Sequence, residues 1–193
     1  MSLNEIAFRP EDPAHDPAIE IINEEAFGPG RFARAAYRIR EGGPHERALS
    51  FVALDGAAVI GSVRLTRVAA GGGRALLLGP LAVRPAYKNR GIGKKLVAIA
   101  VEAARRAGAG VVLLVGDAPY YGPLGFRQVP PGRLAMPRPV DPDRLLAAEL
   151  RAGALAALSG AVMHADLAAA AAPASAREGE AEAAEPRVAA ARR

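Results

Sequence analysis

Residues 81–115 constrain the fold more than any other stretch of this chain. A short apolar strand runs into a turn with glycines at 91 and 93. A helix follows, with an apolar stripe at Leu96, Ile99, Ala100, Ala103, Ala104 and Ala107 and a stop at Gly108. A continuous apolar run at residues 111–115 comes next, as a strand buried on both faces would. Strand, helix and strand joined this closely make one right-handed crossover, so the two strands lie parallel in one sheet. Upstream, residues 49–54 and 57–68 read as two further strands and 76–83 as the strand that enters the turn, with Asp55-Gly56 and Gly71-Gly72-Gly73 marking the hairpin turns between the three. Pro80 lacks a ladder donor, so Gly79-Pro80 marks a bulge or an unpaired edge. The fold class is α/β with a mixed (α+β) sheet: an antiparallel meander plus one parallel β-α-β crossover.

Around this centre, residues 6–9 read as a first strand, and 18–27 and 32–40 as two short helices, the first stopped by Gly28-Pro29-Gly30. Residues 119–124 read as a turn or short helix with Tyr120 in the core, 126–129 as a strand, and 130–142, with five prolines, as a loop. Residues 144–163 carry leucines that suit a helix, yet 145–150 suits a strand equally well. From Asp166 on, the chain is rich in Ala, Glu and Arg and poor in large apolar side chains. Such a segment cannot bury enough surface to offset its ordering entropy, and a disordered tail is expected over 166–193 after one domain over 1–165.

Composition removes several classes of function. The chain of 193 residues has no cysteine, hence no thiolate nucleophile, disulfide or zinc-thiolate site. Its three histidines, His15, His45 and His164, are scattered, and no metal is expected. Neither a signal-peptide pattern nor an apolar run of membrane-spanning length is visible, so a cytoplasmic protein without membrane contact is expected. The net charge of +5 is spread out except around Arg84, Lys88, Arg90, Lys94 and Lys95. One clustered basic turn suits a small polyanion better than a duplex, and no nucleic-acid partner is expected.

That turn carries the chemistry. Gly91 and Gly93 let the backbone approach a ligand closely, and the helix that follows adds its N-terminal amide donors and partial positive charge. Lys88, Arg90, Lys94 and Lys95 add full charges, and the spacing suits a pyrophosphate. A P-loop would need glycine where Lys88 stands and Ser or Thr where Lys95 stands. A dinucleotide fingerprint would need a small residue at Leu96 and a place after the first strand. Both patterns fail.

The segment Lys88-x-x-Gly91-x-Gly93, preceded by Leu81-Ala-Val-Arg-Pro85, resembles motif A of the GNAT N-acetyltransferase superfamily, with lysine in place of Gln or Arg. Tyr120-Tyr121 and Gly125-Phe126 are similar to the family's Phe-Tyr-x-x-x-Gly-Phe segment. The wording around residues 79–83 and 116–121 is similar to the YhbS-like branch of predicted acetyltransferases, which implies a C-terminal strand extension at about 143–163. The resemblance covers residues 6–130. It implies a GNAT-like fold whose two parallel strands splay apart, and direct acetyl transfer from acetyl-CoA, a co-substrate, to an amine of a small molecule or peptide. A non-catalytic CoA-binding module with the same fold is the alternative. It further implies cofactor contacts at Leu81, Ala82, Val83, Lys88, Asn89, Arg90, Gly91, Ile92, Gly93, Lys94, Asp117 and Tyr121. Arg84 would join them at the pyrophosphate, and Tyr121 would be the general acid. Glu24, Glu25 and Asp117 are candidates for the base, because the strand before motif A offers only Leu76, Leu77, Leu78 and Gly79. The acceptor stays open among aminoglycosides, polyamines, amino acids and protein N-termini, and the oligomeric state stays open between monomer and homodimer.

Overall fold

A computed structural model describes residues 6–171. In chain order the elements are β1 (Ile6–Pro10), α1 (Asp16–Phe27), α2 (Ala35–Arg40), β2 (Phe51–Asp55), β3 (Ala58–Ala70), β4 (Gly73–Val83), α3 (Ile92–Arg106), β5 (Val111–Val115), α4 (Ala118–Tyr121), β6 (Arg127–Gln128), β7 (Leu134–Ala135), β8 (Leu145–Glu149), β9 (Gly160–His164) and α5 (Ala165–Ala171). The strands order as β1-β2-β3-β4-β5-β8-β6. Only β4 and β5 are parallel along this path, as the crossover through α3 requires.

Alternation along the central strands sorts side chains to two faces. Leu76 and Leu78 of β4 and Val112 and Leu114 of β5 meet the stripe Ile92, Leu96, Val97, Ala100 and Ala104 of α3. Ala75, Leu77, Val111 and Leu113 point the other way, onto Ile39, Val129, Leu134 and Leu158. Ile19 and Ile22 of α1 pack on Val52, Val59 and Ala82. The strands that read as unbroken apolar runs are therefore the ones covered on both sides.

Three features differ from the sequence expectations. The second helix is split: a 3-10 turn at Pro29–Ala33 precedes α2, and Arg34 between them is extended. Beyond β8, the C-terminal strand that the resemblance implies, a further strand, β9, follows at Gly160–His164, pairing with β3 at Val68–Ala70 and parallel with β7. This pairing is possible because β3 is 13 residues long and outruns β2, whose register on it ends at Val63. Asp166 to Ala171, at the start of the expected tail, lie in α5 instead, which extends directly from β9. The rest of the expected tail, 172–193, lies outside the described residues.

Fully buried His164 ties this C-terminal part to the loop before β2. Its Nε2–H donates to the Pro44 carbonyl (3.0 Å), and its Nδ1 accepts from the Asp166 amide (3.2 Å). A Cβ at Gly43 would collide with the ring, and one at Gly42 with the His164 Cβ and the end of Leu167.

Candidate active site

β4 and β5 are in register only at Leu76–Val112 and Leu77–Leu113. Beyond Leu77 the chain passes through the cis Gly79-Pro80 bond, with Gly79 at φ 133°, and its register against β3 shifts between Val63 and Leu65. The bulge expected at this dipeptide is therefore present, in a central strand rather than at an edge. The two strands splay. Ala82 stays opposite Ser62, and the Arg84 amide donates to the Ile60 carbonyl (2.9 Å). By strand alternation, the backbone groups of Leu81 and Val83 face the gap left by β5.

The turn after β4 is held from below. Tyr87 Oη donates to Asp55 Oδ2 (2.7 Å) on the β2–β3 hairpin, and Arg90 stacks over the Tyr87 ring. Asn89 and Gly91 adopt left-handed backbone, φ 61° and 77°, which asparagine and glycine tolerate best. The first helical hydrogen bond of α3 runs from the Lys95 amide to the Gly91 carbonyl. The amides of Ile92, Gly93 and Lys94 thus precede the helical ladder and point out of its N-terminus. A Cβ at Gly93 would lie 2.6 Å from Tyr120 Oη.

Turn and splay open into one cavity of about 1020 Å³. Of the residues expected to hold the cofactor, Leu81, Ala82, Val83, Lys88, Gly93, Asp117 and Tyr121 line it. Asn89, Arg90 and Gly91 are exposed on the turn beside it and Lys94 at the start of α3, while Ile92 is buried in the core with its side chain turned away. Arg84 is diverted: its Nε donates to the Val59 carbonyl, and it pairs with Glu25.

Tyr120 is not a core residue. It is 36% exposed, and its hydroxyl covers Gly93 while Lys94 Nζ lies 5.8 Å from its ring. α4 is a single turn, so neighbouring tyrosines diverge; Tyr121 takes the inward place, its ring against Gly116 and edge-on to Phe126. Burial, with the nearby Tyr120 and Asp117, pushes the Tyr121 phenol up to about 12.

The candidate bases separate. Glu24 and Glu25 lie outside the cavity wall, whereas Asp117 is on it and pairs with Arg144 (3.2 Å). The sequence reading missed Glu20, Arg40, His45 and Arg64, which also line the cavity. Behind them sits Glu11, 5% exposed. It accepts from His45 Nε2 (2.8 Å), from Arg47 (2.8 Å) and from Arg64 through Nε and Nη2. Burial alone would raise the Glu11 carboxyl, but the His45 and Arg64 hydrogen bonds and charges outweigh it and bring the pKa down to about 2. No local pattern announces this cluster, because strand pairing assembles it from positions 11, 45, 47 and 64. Among the described residues, no group of three or more acidic or imidazole side chains is placed to hold a metal ion.

Residues 16–126 match the acetyltransferase (GNAT) family. The uncharacterised N-acetyltransferase YjhQ of Escherichia coli K12 is 28% identical over 130 residues, 65% of this chain and 72% of that protein. The structure of the GNAT family N-acetyltransferase YhbS from Escherichia coli in complex with CoA superposes with a TM-score of 0.71 at 25% identity, over 84% of this chain and 91% of that one. A GNAT family acetyltransferase from Brucella melitensis in complex with acetyl-CoA gives 0.52 at 29% identity, over 74% and 94%.

Proposed function

The chain belongs to the acetyltransferase (GNAT) family, and on that premise we propose that it moves an acetyl group from acetyl-CoA directly to an amine. The observation that carries this reading is the single cavity running from the α3 N-terminus to the β4–β5 splay. One end offers amide donors and Lys88 to a pyrophosphate, and the other offers strand backbone to the pantetheine arm. The amides of Ile92, Gly93 and Lys94, with the turn at 88–91, bind the diphosphate. Backbone groups of Leu81 and Val83 hold the arm, and an amide there polarises the thioester carbonyl as negative charge develops on its oxygen.

Tyr121 serves the leaving thiolate as a hydrogen-bond donor. A phenol near 12 would not surrender its proton to a thiolate whose conjugate acid lies near 8.5, so it stays protonated and stabilises the charge. Tyr121→Phe is expected to lower kcat by about 10- to 100-fold with little change in the KM for acetyl-CoA. An unchanged kcat would remove Tyr121 from the mechanism.

His45 is the group we assign to the acceptor's proton. With Nε2–H donating to the Glu11 carboxylate, Nδ1 is left as the basic atom of a residue that lines the cavity. His45→Gln should depress kcat more than it changes acetyl-CoA affinity, and equal turnover by the variant would reassign the proton to Asp117 or to bound water.

The overall test is calorimetric titration with acetyl-CoA, paired with thiol release across an amine panel. Saturable heat and thiol release support transfer. Absence of heat with both acetyl-CoA and CoA sinks the reading, and heat without thiol release favours the non-catalytic CoA-binding module.

A further inference from the structure

The charges on the cavity wall are unevenly matched. Its carboxylates are engaged: Glu20 with Arg64, Glu41 with Arg38, Asp117 with Arg144, while Asp141 accepts from the Asp143 amide. Three of its guanidiniums have no carboxylate partner among the described residues. Arg40 donates to the Gly79 carbonyl (3.3 Å) and stacks on Tyr37. Arg34 stacks on Phe27. Arg31 uses Nη1 on the Gly28 carbonyl and leaves its buried Nε with no partner at all.

Position separates this set from the cofactor's own charges. Gly79 stands where β4 has just left β5, two residues before Leu81, so Arg40 lies at the thioester end. Lys88 and the α3 N-terminus lie at the other. Burial and the neighbouring Arg64 bring the Arg40 guanidinium down to about 10, outweighing Tyr37 and Glu20, which act the other way. A half-buried cation in that condition is stabilised by an incoming anion, and a planar guanidinium takes a carboxylate or phosphate through two parallel bonds. An acceptor bearing only positive charge would meet repulsion at the same place.

We propose that the acceptor is a small amine that also carries a carboxylate or phosphate, and that Arg40 binds this anion, with Arg31 and Arg34 on the same wall. The inference rests on the acetyl-transfer reading above and narrows its substrate to anionic amines, against polyamines and aminoglycosides.

The test uses the full chain saturated with CoA, which cannot donate an acetyl group, and calorimetric titration with matched pairs. These are phenylalanine against phenethylamine, lysine against cadaverine, and phosphoethanolamine against ethanolamine. The anionic member of at least one pair is expected to bind at least about tenfold tighter, and which pairs respond distinguishes carboxylate from phosphate. Arg40→Gln should bring that ratio close to one while leaving CoA affinity intact, and Arg40→Lys should restore part of it. Should Arg40→Gln misfold, the wild-type protein answers alone: phenylpropionate or phenyl phosphate, lacking the amine, should compete with the preferred amine and not with acetyl-CoA. No preference for the anionic member in any of the three pairs would overturn the proposal. Loss of CoA binding itself would overturn the transfer reading instead, so the two failures are distinct.

Discussion

Replacing Glu11 with glutamine is expected to destabilise the protein by about 3–5 kcal/mol, because it leaves charges assembled around a carboxylate without that carboxylate. Glu11 has no exposed side-chain surface, and the guanidinium it holds on β3, Arg64, is only 12% exposed. Asp16 still bonds both Arg64 (2.6 Å) and Arg47 (2.9 Å), but from a position 40% open to solvent. Chemical unfolding of the wild type and Glu11→Gln should show the difference. Glu20→Gln is the control, since the Glu20–Arg64 contact is 59% exposed on the glutamate side and should be worth under about 1 kcal/mol. Equal stability of all three proteins would refute the assignment. The pH dependence has a definite sign. The folded carboxyl lies near 2, against 4.5 when unperturbed, so its contribution is fully present above about 4.5 and fades as pH falls toward 2. That contribution is about 3 kcal/mol, and Glu11→Gln should flatten this part of the acid unfolding curve.

Gly93→Val is expected to weaken acetyl-CoA binding by at least about 100-fold while leaving a folded protein. Position 93 lies inside the first turn of α3, where valine is tolerated, but even its Cβ meets Tyr120 Oη at 2.6 Å. Tyr120, being partly exposed, can swing aside, so the fold survives. The added methyl groups then occupy the wall proposed for the diphosphate. Gly91→Ala has a different signature. Nothing crowds a Cβ there, but φ of 77° is left-handed, so the change should cost about 1 kcal/mol of stability and weaken binding less. Calorimetry with acetyl-CoA and melting of each variant separate the two. A Gly93→Val protein that binds as the wild type does would remove the α3 N-terminus from the cofactor site.

The parts of this molecule that were legible in its sequence are those specified by contiguous residues. The meander, the crossover and the left-handed turn before α3 each carry their signal within about ten residues: Asp55-Gly56, Gly91-x-Gly93 and the apolar stripe of α3. The bulge at Gly79-Pro80 was legible because proline cannot take a place in the ladder. β9 was not, because Gly160 to His164 has a weak pattern of its own and becomes a strand by pairing with the overhang of β3. Tyr120 and Tyr121 look equivalent in sequence; one turn of α4 and the bare Cα of Gly116 decide which faces inward. The wall proposed for the acceptor was least legible. Arg40, His45 and Arg64 are ordinary polar residues in three segments, given meaning only by Glu11 and the Gly79 carbonyl.

The splay has a mechanical consequence. The β1–β4 leaf and the β5–β8–β6 leaf share a spine just two residues tall, Leu76 and Leu77, and α3 is the binding glued across both. A pantetheine arm in the gap, with amides on either side of its short alkyl links, would act as the rungs the spine lacks. On this reading acetyl-CoA does more than occupy a cavity. It stitches the two leaves together, so melting should become steeply dependent on its concentration, and amide exchange in β5 should slow together with exchange in β4 when it binds. The sheet would then be whole only with its substrate as one of the strands.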